Sequence, residues 1–187
     1  MPYITIEGKS LHYSRTGSAK AVLLLLHGNS ASSRMFQPVL PLYEKHFSVL
    51  TADFLGHGRS ERLREFPADL WFSQAMQAAA LLQELELEQV NVLGTSGGAL
   101  VALNLALELP KLVRGVIADS FEGENALDAV ALSIEAERSQ AKSESAMVDF
   151  WKECHGEDWE AVVDNDTKAI LQHHAAIKAF SIRTCRH

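Results

Sequence analysis

Ser96 stands among glycines in the run Gly94-Thr95-Ser96-Gly97-Gly98. One apolar run, Val90 to Leu93, leads into it, and another, Ala99 to Leu109, leads out. A strand, a sharp turn carrying a serine and then a buried helix would set a hydroxyl at the C-terminal end of the strand, exposed to whatever binds there. The chemistry is nucleophilic attack. Small flanking residues let the chain double back, and the helix N-terminus favours the negative charge that attack creates. A serine of this kind needs a neighbouring base to take its proton. The plainer alternative is an ordinary serine in a glycine-rich helix entry. A phosphate-binding loop is excluded, because the Gly-Lys-Ser/Thr ending is missing.

Other residue types able to do chemistry are sparser. Gly56-His57-Gly58 suggests the start of a dinucleotide fingerprint, but Glu61 stands where G-x-G-x-x-G needs its third glycine. Cys154 and Cys185 are the only cysteines. With His155 and His187 they lack a recognised zinc spacing, and a disulfide is not expected in a reducing compartment. No motif points to a cofactor or a metal.

The elements that must position Ser96 follow from periodicity. Tyr3 to Ile6 and Leu11 to Arg15 alternate on either side of Gly8, which predicts a β-hairpin. Ala21 to Leu26 has no polar face and predicts a strand buried on both sides. Ser33 to Tyr43 carries a helical pattern broken by Pro38 and Pro41. Phe47 to Ala52 predicts a strand ending at Asp53, whose turn-rich neighbours suggest a loop-fixing carboxylate. Leu70 to Leu87 predicts an amphipathic helix. Val90 to Leu93 and Val113 to Ile117 predict further short buried strands, with a buried helix between them that Pro110 ends. Strands alternating with helices imply an α/β fold with a mostly parallel sheet covered on both faces. After Asp119 the pattern is helical only, over Asn125–Arg138, Ser145–Cys154 and Asp158–His173.

Composition narrows the partners. The chain has 187 residues, 47% hydrophobic and 22% charged, enough for one ordinary domain with a core. A net charge of -7 and no basic stripe argue against a nucleic-acid binder. The longest apolar stretch is far too short to span a bilayer, and the N-terminus lacks the basic and apolar regions of a signal peptide. A cytoplasmic protein is the expectation. The oligomeric state is not readable.

Three segments, Leu26-His27-Gly28-Asn29, Asp53-Phe54-Leu55-Gly56-His57-Gly58-Arg59-Ser60 and Gly94-Thr95-Ser96-Gly97-Gly98, each end a predicted strand. In this order they resemble the α/β-hydrolase family. The resemblance implies a sheet with an antiparallel N-terminal hairpin in residues 1–120, a helical cap or lid in 121–174, and an atypical tail in 175–187. It implies Ser96 as nucleophile, with the backbone N–H groups of Gly97 and Asn29 forming the oxyanion hole. It implies structural roles for His27 and His57. A small acyl substrate follows, with ester hydrolysis as the reaction. The family's epoxide and halide branches are disfavoured, because they use an aspartate nucleophile.

In this family the acid and then the histidine follow on strands beyond the cap. The stretch from Ala175 to His187 shows no such strands. The last strands therefore look missing, which would leave Val113–Ile117 as an exposed edge. Asp119 is a substitute candidate for the acid. His155, His173 and His174 sit in predicted cap helices, with solvated surface as their plainer reading. The alternative function is a catalytically inactive, truncated fragment or a ligand-binding relic.

Overall fold

The computed structural model describes residues 2–121, 123 and 128–179. Asn125, at the start of the first expected cap helix, lies outside the described residues, as do Cys185 and His187.

The N-terminal strands β1 (Tyr3–Ile6) and β2 (Lys9–Thr16) form the expected antiparallel hairpin. They are followed by β3 (Val22–Leu26), β4 (Ser48–Ala52), β5 (Val90–Thr95) and β6 (Val113–Asp119). One six-stranded sheet results, in the order β1-β2-β4-β3-β5-β6. β2 meets β4 antiparallel, whereas β3/β4, β3/β5 and β5/β6 are parallel.

The all-apolar strands are explained by two cores, one on each face. Leu24, Leu26 and Leu50 point into the larger core with α2 (Leu70–Glu84) and α3 (Gly97–Glu108). Leu23, Leu25 and Val49 point the other way, onto Phe36, Met35 and Tyr43. A period of two therefore buries every residue of β3 and β4.

Three expectations are corrected in detail. The pattern over Ser33 to Tyr43 divides into a 3₁₀ turn, Ser33–Phe36, and a short helix α1, Leu40–Tyr43, because Pro38 and Pro41 lack the N–H that would join them. Helix α2 is more enclosed than an amphipathic surface helix, burying Gln74 and Gln77 as well as its apolar residues. Gln77 is satisfied there by accepting the Leu55 N–H at 2.8 Å. Third, Val113–Ile117 is not a short buried strand but the exposed edge that was the other expectation for it: β6 ends the sheet, and Ile117 is 61% exposed.

After β6 come α4 (Asp128–Ala141), α5 (Ser145–His155) and α6 (Trp159–Ala176). α6 packs on both α4 and α5 and reaches α2, while α5 rests on the 3₁₀ turn. Trp151 and Trp159 stack at 5.4 Å between α5 and α6. α6 continues two residues past the cap boundary expected at 174. Among the described residues no helix is long and apolar enough to cross a membrane.

The order β4-β3-β5 makes the chain change direction across the sheet at β3. Loops leaving the C-terminal ends of β3 and β5 therefore open a crevice between them, the usual ligand position in such sheets. Leu26 and Gly94 are register partners, so the loop from His27 onward and the turn at Ser96 emerge side by side.

Candidate active site

The turn from β5 into α3 is built around Ser96. Its backbone has φ 54° and ψ −125°, a conformation rare for a residue with a side chain. Close packing enforces it. A Cβ on Gly94 would lie 2.0 Å from the Gly98 carbonyl oxygen, and one on Gly98 would lie 2.2 Å from that of Leu26. The Ser96 N–H donates to the Asp119 carbonyl at 2.8 Å, and Thr95 Oγ1 donates to the Asp119 carboxylate at 3.0 Å. Ser96 itself is exposed, at the N-terminus of a twelve-residue helix whose first N–H groups lack intrahelical acceptors.

The loop after β3 closes against this turn. A Cβ on Gly28 would lie 3.1 Å from Ser96 Cβ. The Asn29 side chain is held at both ends: Trp71 Nε1 donates to its oxygen at 3.1 Å, and its amide donates to Asp166 at 3.0 Å. Ser96, Gly97 and Asn29 line one cavity of about 190 Å³, whose walls include Trp71, Leu100 and Ile170. That is below the roughly 300–1,000 Å³ of pockets for drug-sized ligands.

The carboxylates and histidines around the crevice are committed to the framework. Burial opposes the charge of Asp53, but bonds from His12, the Ser33 N–H and the Arg59 N–H hold its carboxyl well below the usual carboxylate range. His27 accepts the Phe54 N–H at Nε2, so Nδ1 carries the proton and donates to the Gly28 carbonyl. Burial pushes its pKa down to about 3. His155 accepts the Gly58 N–H at Nδ1 and donates from Nε2 to the Ser30 carbonyl, and burial lowers it to about 4. His57 is fully buried, stacked on Phe66, with Nε2 3.2 Å from Asp166. Burial opposes the charge of Asp166 too, but His57, Arg138 and Asn29 hold its carboxyl below the ordinary value.

The expected site residues are partly united. Ser96, Gly97 and Asn29 share the cavity, whereas Asp119 is exposed and spends its carboxylate on Thr95. His155 and His173 are buried, not solvated, because α5 and α6 turn them inward. His173 lines the cavity, but its ring nitrogens face the Ala68 and Ala179 carbonyls at 2.9 and 3.0 Å. His174 pairs with Asp128. Among the described residues no imidazole is hydrogen-bonded to Ser96 Oγ.

Two residues that join the site carried no motif, Asp166 and Arg138. A helical signal existed for both. Asp166 shares a stripe with the buried Val162, Val163 and Ala169, and Arg138 follows Ala131 and Ile134 on the face that meets the cavity. A polar residue on an otherwise apolar stripe marks a buried partner.

Known proteins match this architecture. The chain is 34% identical over 117 residues to the mouse "Serine hydrolase BPHL", covering 61% of this chain and 40% of that protein. It is 34% identical over 112 residues to the pimeloyl-[acyl-carrier protein] methyl ester esterase of Proteus mirabilis, covering 57% of this chain and 39% of that one. The match thus spans about two fifths of these curated relatives. Among solved structures, the enol-lactonase from Burkholderia xenovorans LB400 superposes with a TM-score of 0.70 at 18% identity, covering 96% of this chain and 75% of that one. The family model for the alpha/beta hydrolase fold matches residues 21–178. With its strand order, its strained serine turn and the loop beside it, the chain belongs to the α/β-hydrolase fold family.

Proposed function

We propose that this chain carries the acyl-transfer half of a serine hydrolase acting on small ester-like substrates. Ser96 Oγ attacks the acyl carbon, its proton leaves to a base, and the carbonyl electron pair moves to oxygen. The backbone N–H groups of Gly97 and Asn29 receive that oxyanion. Collapse of the tetrahedral species, with the base returning that proton to the departing oxygen, expels the alcohol and leaves an acyl-Ser96 ester for water to cleave. The observation that carries this reading is the backbone of Ser96, held at φ 54° beside an apolar cavity. The size of the cavity supports a small acyl group. The esterase named among the relatives and the enol-lactonase among the solved structures both act on ester-type bonds by their names, which supports the same reaction class. α4–α6 act as the cap, closing the cavity with Ile134, Ile170 and His173.

A second reading is a binding protein that keeps the pocket without turnover. It is favoured by the partners of the described histidines, none of which touches Ser96 Oγ. A fluorophosphonate probe separates the two. The expected result is covalent labelling at Ser96, mapped by mass spectrometry and lost in Ser96→Ala. A folded protein that stays unlabelled sinks the hydrolase reading and leaves the binding one.

A further inference from the structure

The cavity is mostly apolar, yet among the described residues the formally charged ones that line it are Arg138 and Lys178, both cationic. Among the described residues no carboxylate lines it, although the whole chain carries 24 acidic residues against 17 basic ones. Arg138 is anchored there. One guanidinium nitrogen donates to Ser30 Oγ, and the group lies 5.9 Å from the centroid of the Trp151 ring. Its Nε is buried with no hydrogen-bond partner. The buried Asp166 carboxylate acts on it through space, with Oδ2 taken by Asn29 and His57 and Oδ1 making no hydrogen bond among the described residues. With one donor spent on Ser30, the half-buried guanidinium at the cavity wall keeps others for a bound anion.

We propose that the cavity selects acyl substrates bearing a carboxylate a few carbons from the scissile bond, with Arg138 as the specificity-determining residue and Lys178 as a second cation. This rests on the cavity beside Ser96 being the substrate site. The substrate class is the half-esters and related lactones of short dicarboxylic acids. The apolar walls take the methylene body, and the guanidinium, already oriented by Ser30 and Trp151, takes the carboxylate.

Calorimetry on the 187-residue Ser96→Ala protein tests this without turnover, using monomethyl glutarate against dimethyl glutarate. The monoanion should bind at least about tenfold more tightly, the scale of one charge-assisted bond. Arg138→Gln should remove that preference, bringing the two esters to equal affinity, and Arg138→Lys should restore part of it. Equal affinities, or no binding of either ester, overturn the proposal. So does a preference that survives in Arg138→Gln. If Arg138→Gln fails to fold, the comparison of the two esters on Ser96→Ala alone decides. Retained carboxylate preference together with an unlabelled Ser96 would reject the hydrolase and keep the anion site.

Discussion

His27 and His155 are buried as neutral rings, and their bonding fixes which nitrogen holds the proton. Their folded pKa values, about 3 and about 4, lie below the ordinary value of 6.5. Burial lowers His173 as well. The unfolded chain therefore binds protons that the folded chain refuses as pH falls from about 6.5 towards 4. Stability is full above that window and is lost on acidification, by up to about 1.4 kcal/mol per pH unit for each of His27 and His155. Asp53 and Asp166 add loss of the same sign below about pH 4, because their carboxyls are held low in the folded state. Urea melts from pH 7.5 to 4.5 should show a midpoint that declines from about pH 6.5, with close to two protons taken up on unfolding. A midpoint flat across that range would contradict the neutral assignment.

Edges and helix faces decide the behaviour of the elements. Leu93 and Ile117 are register partners on the sheet face that the smaller core covers elsewhere. At β6 that cover stops, and Ile117 stands 61% exposed on an edge strand. An apolar edge of this kind invites pairing with another chain. Wild-type protein should self-associate with rising concentration in sedimentation experiments, and Ile117→Lys should suppress this without lowering the melting temperature. Association unchanged by the lysine would place the sticky surface elsewhere. The same elements show what was legible in the sequence. Strands β3 to β5 and the turn at Ser96 were readable because their signals are local: apolar runs, Gly94, Gly97 and Gly98. The helical split at Pro38 and Pro41 was half readable, since the broken pattern was visible and its consequence was not. Asp166 and Arg138 were missed because polar residues inside a helix look solvated until their distant partners, Asn29 and Ser30, are known. Asp164 and Asn165 beside Asp166 are equally polar, and only the helical spacing from Val162, Val163 and Ala169 marks Asp166 out.

At the scale of the whole molecule, polar contacts tie the three-helix layer to the sheet loops. Asp166 in α6 holds Asn29 and His57, and His155 in α5 holds Gly58 and Ser30. Arg62 adds a link by donating to the His155 carbonyl and to Asp158. Asp166→Ala removes one charge from a buried network and strands its donors, a change worth about 3–5 kcal/mol. In hydrogen exchange, α5, α6 and the loop 27–30 should lose protection together, while β3, β4 and β5 keep theirs. Loss confined to α6 would show that the layer and the loop are not one unit.

Sequence distance gives that linkage a timing. Asn29 and Asp166 are 137 residues apart, and Ser30 and His155 are 125 apart. The serine turn needs only its own glycines, Leu26 and Asp119, all present once residue 119 has been synthesised. The clasp on Asn29 has to wait for residue 166 to leave the ribosome, and it then closes a very long loop. During synthesis the serine turn can therefore exist for nearly fifty residues before the neighbouring loop is locked, and the cavity is among the last parts of the molecule to become definite.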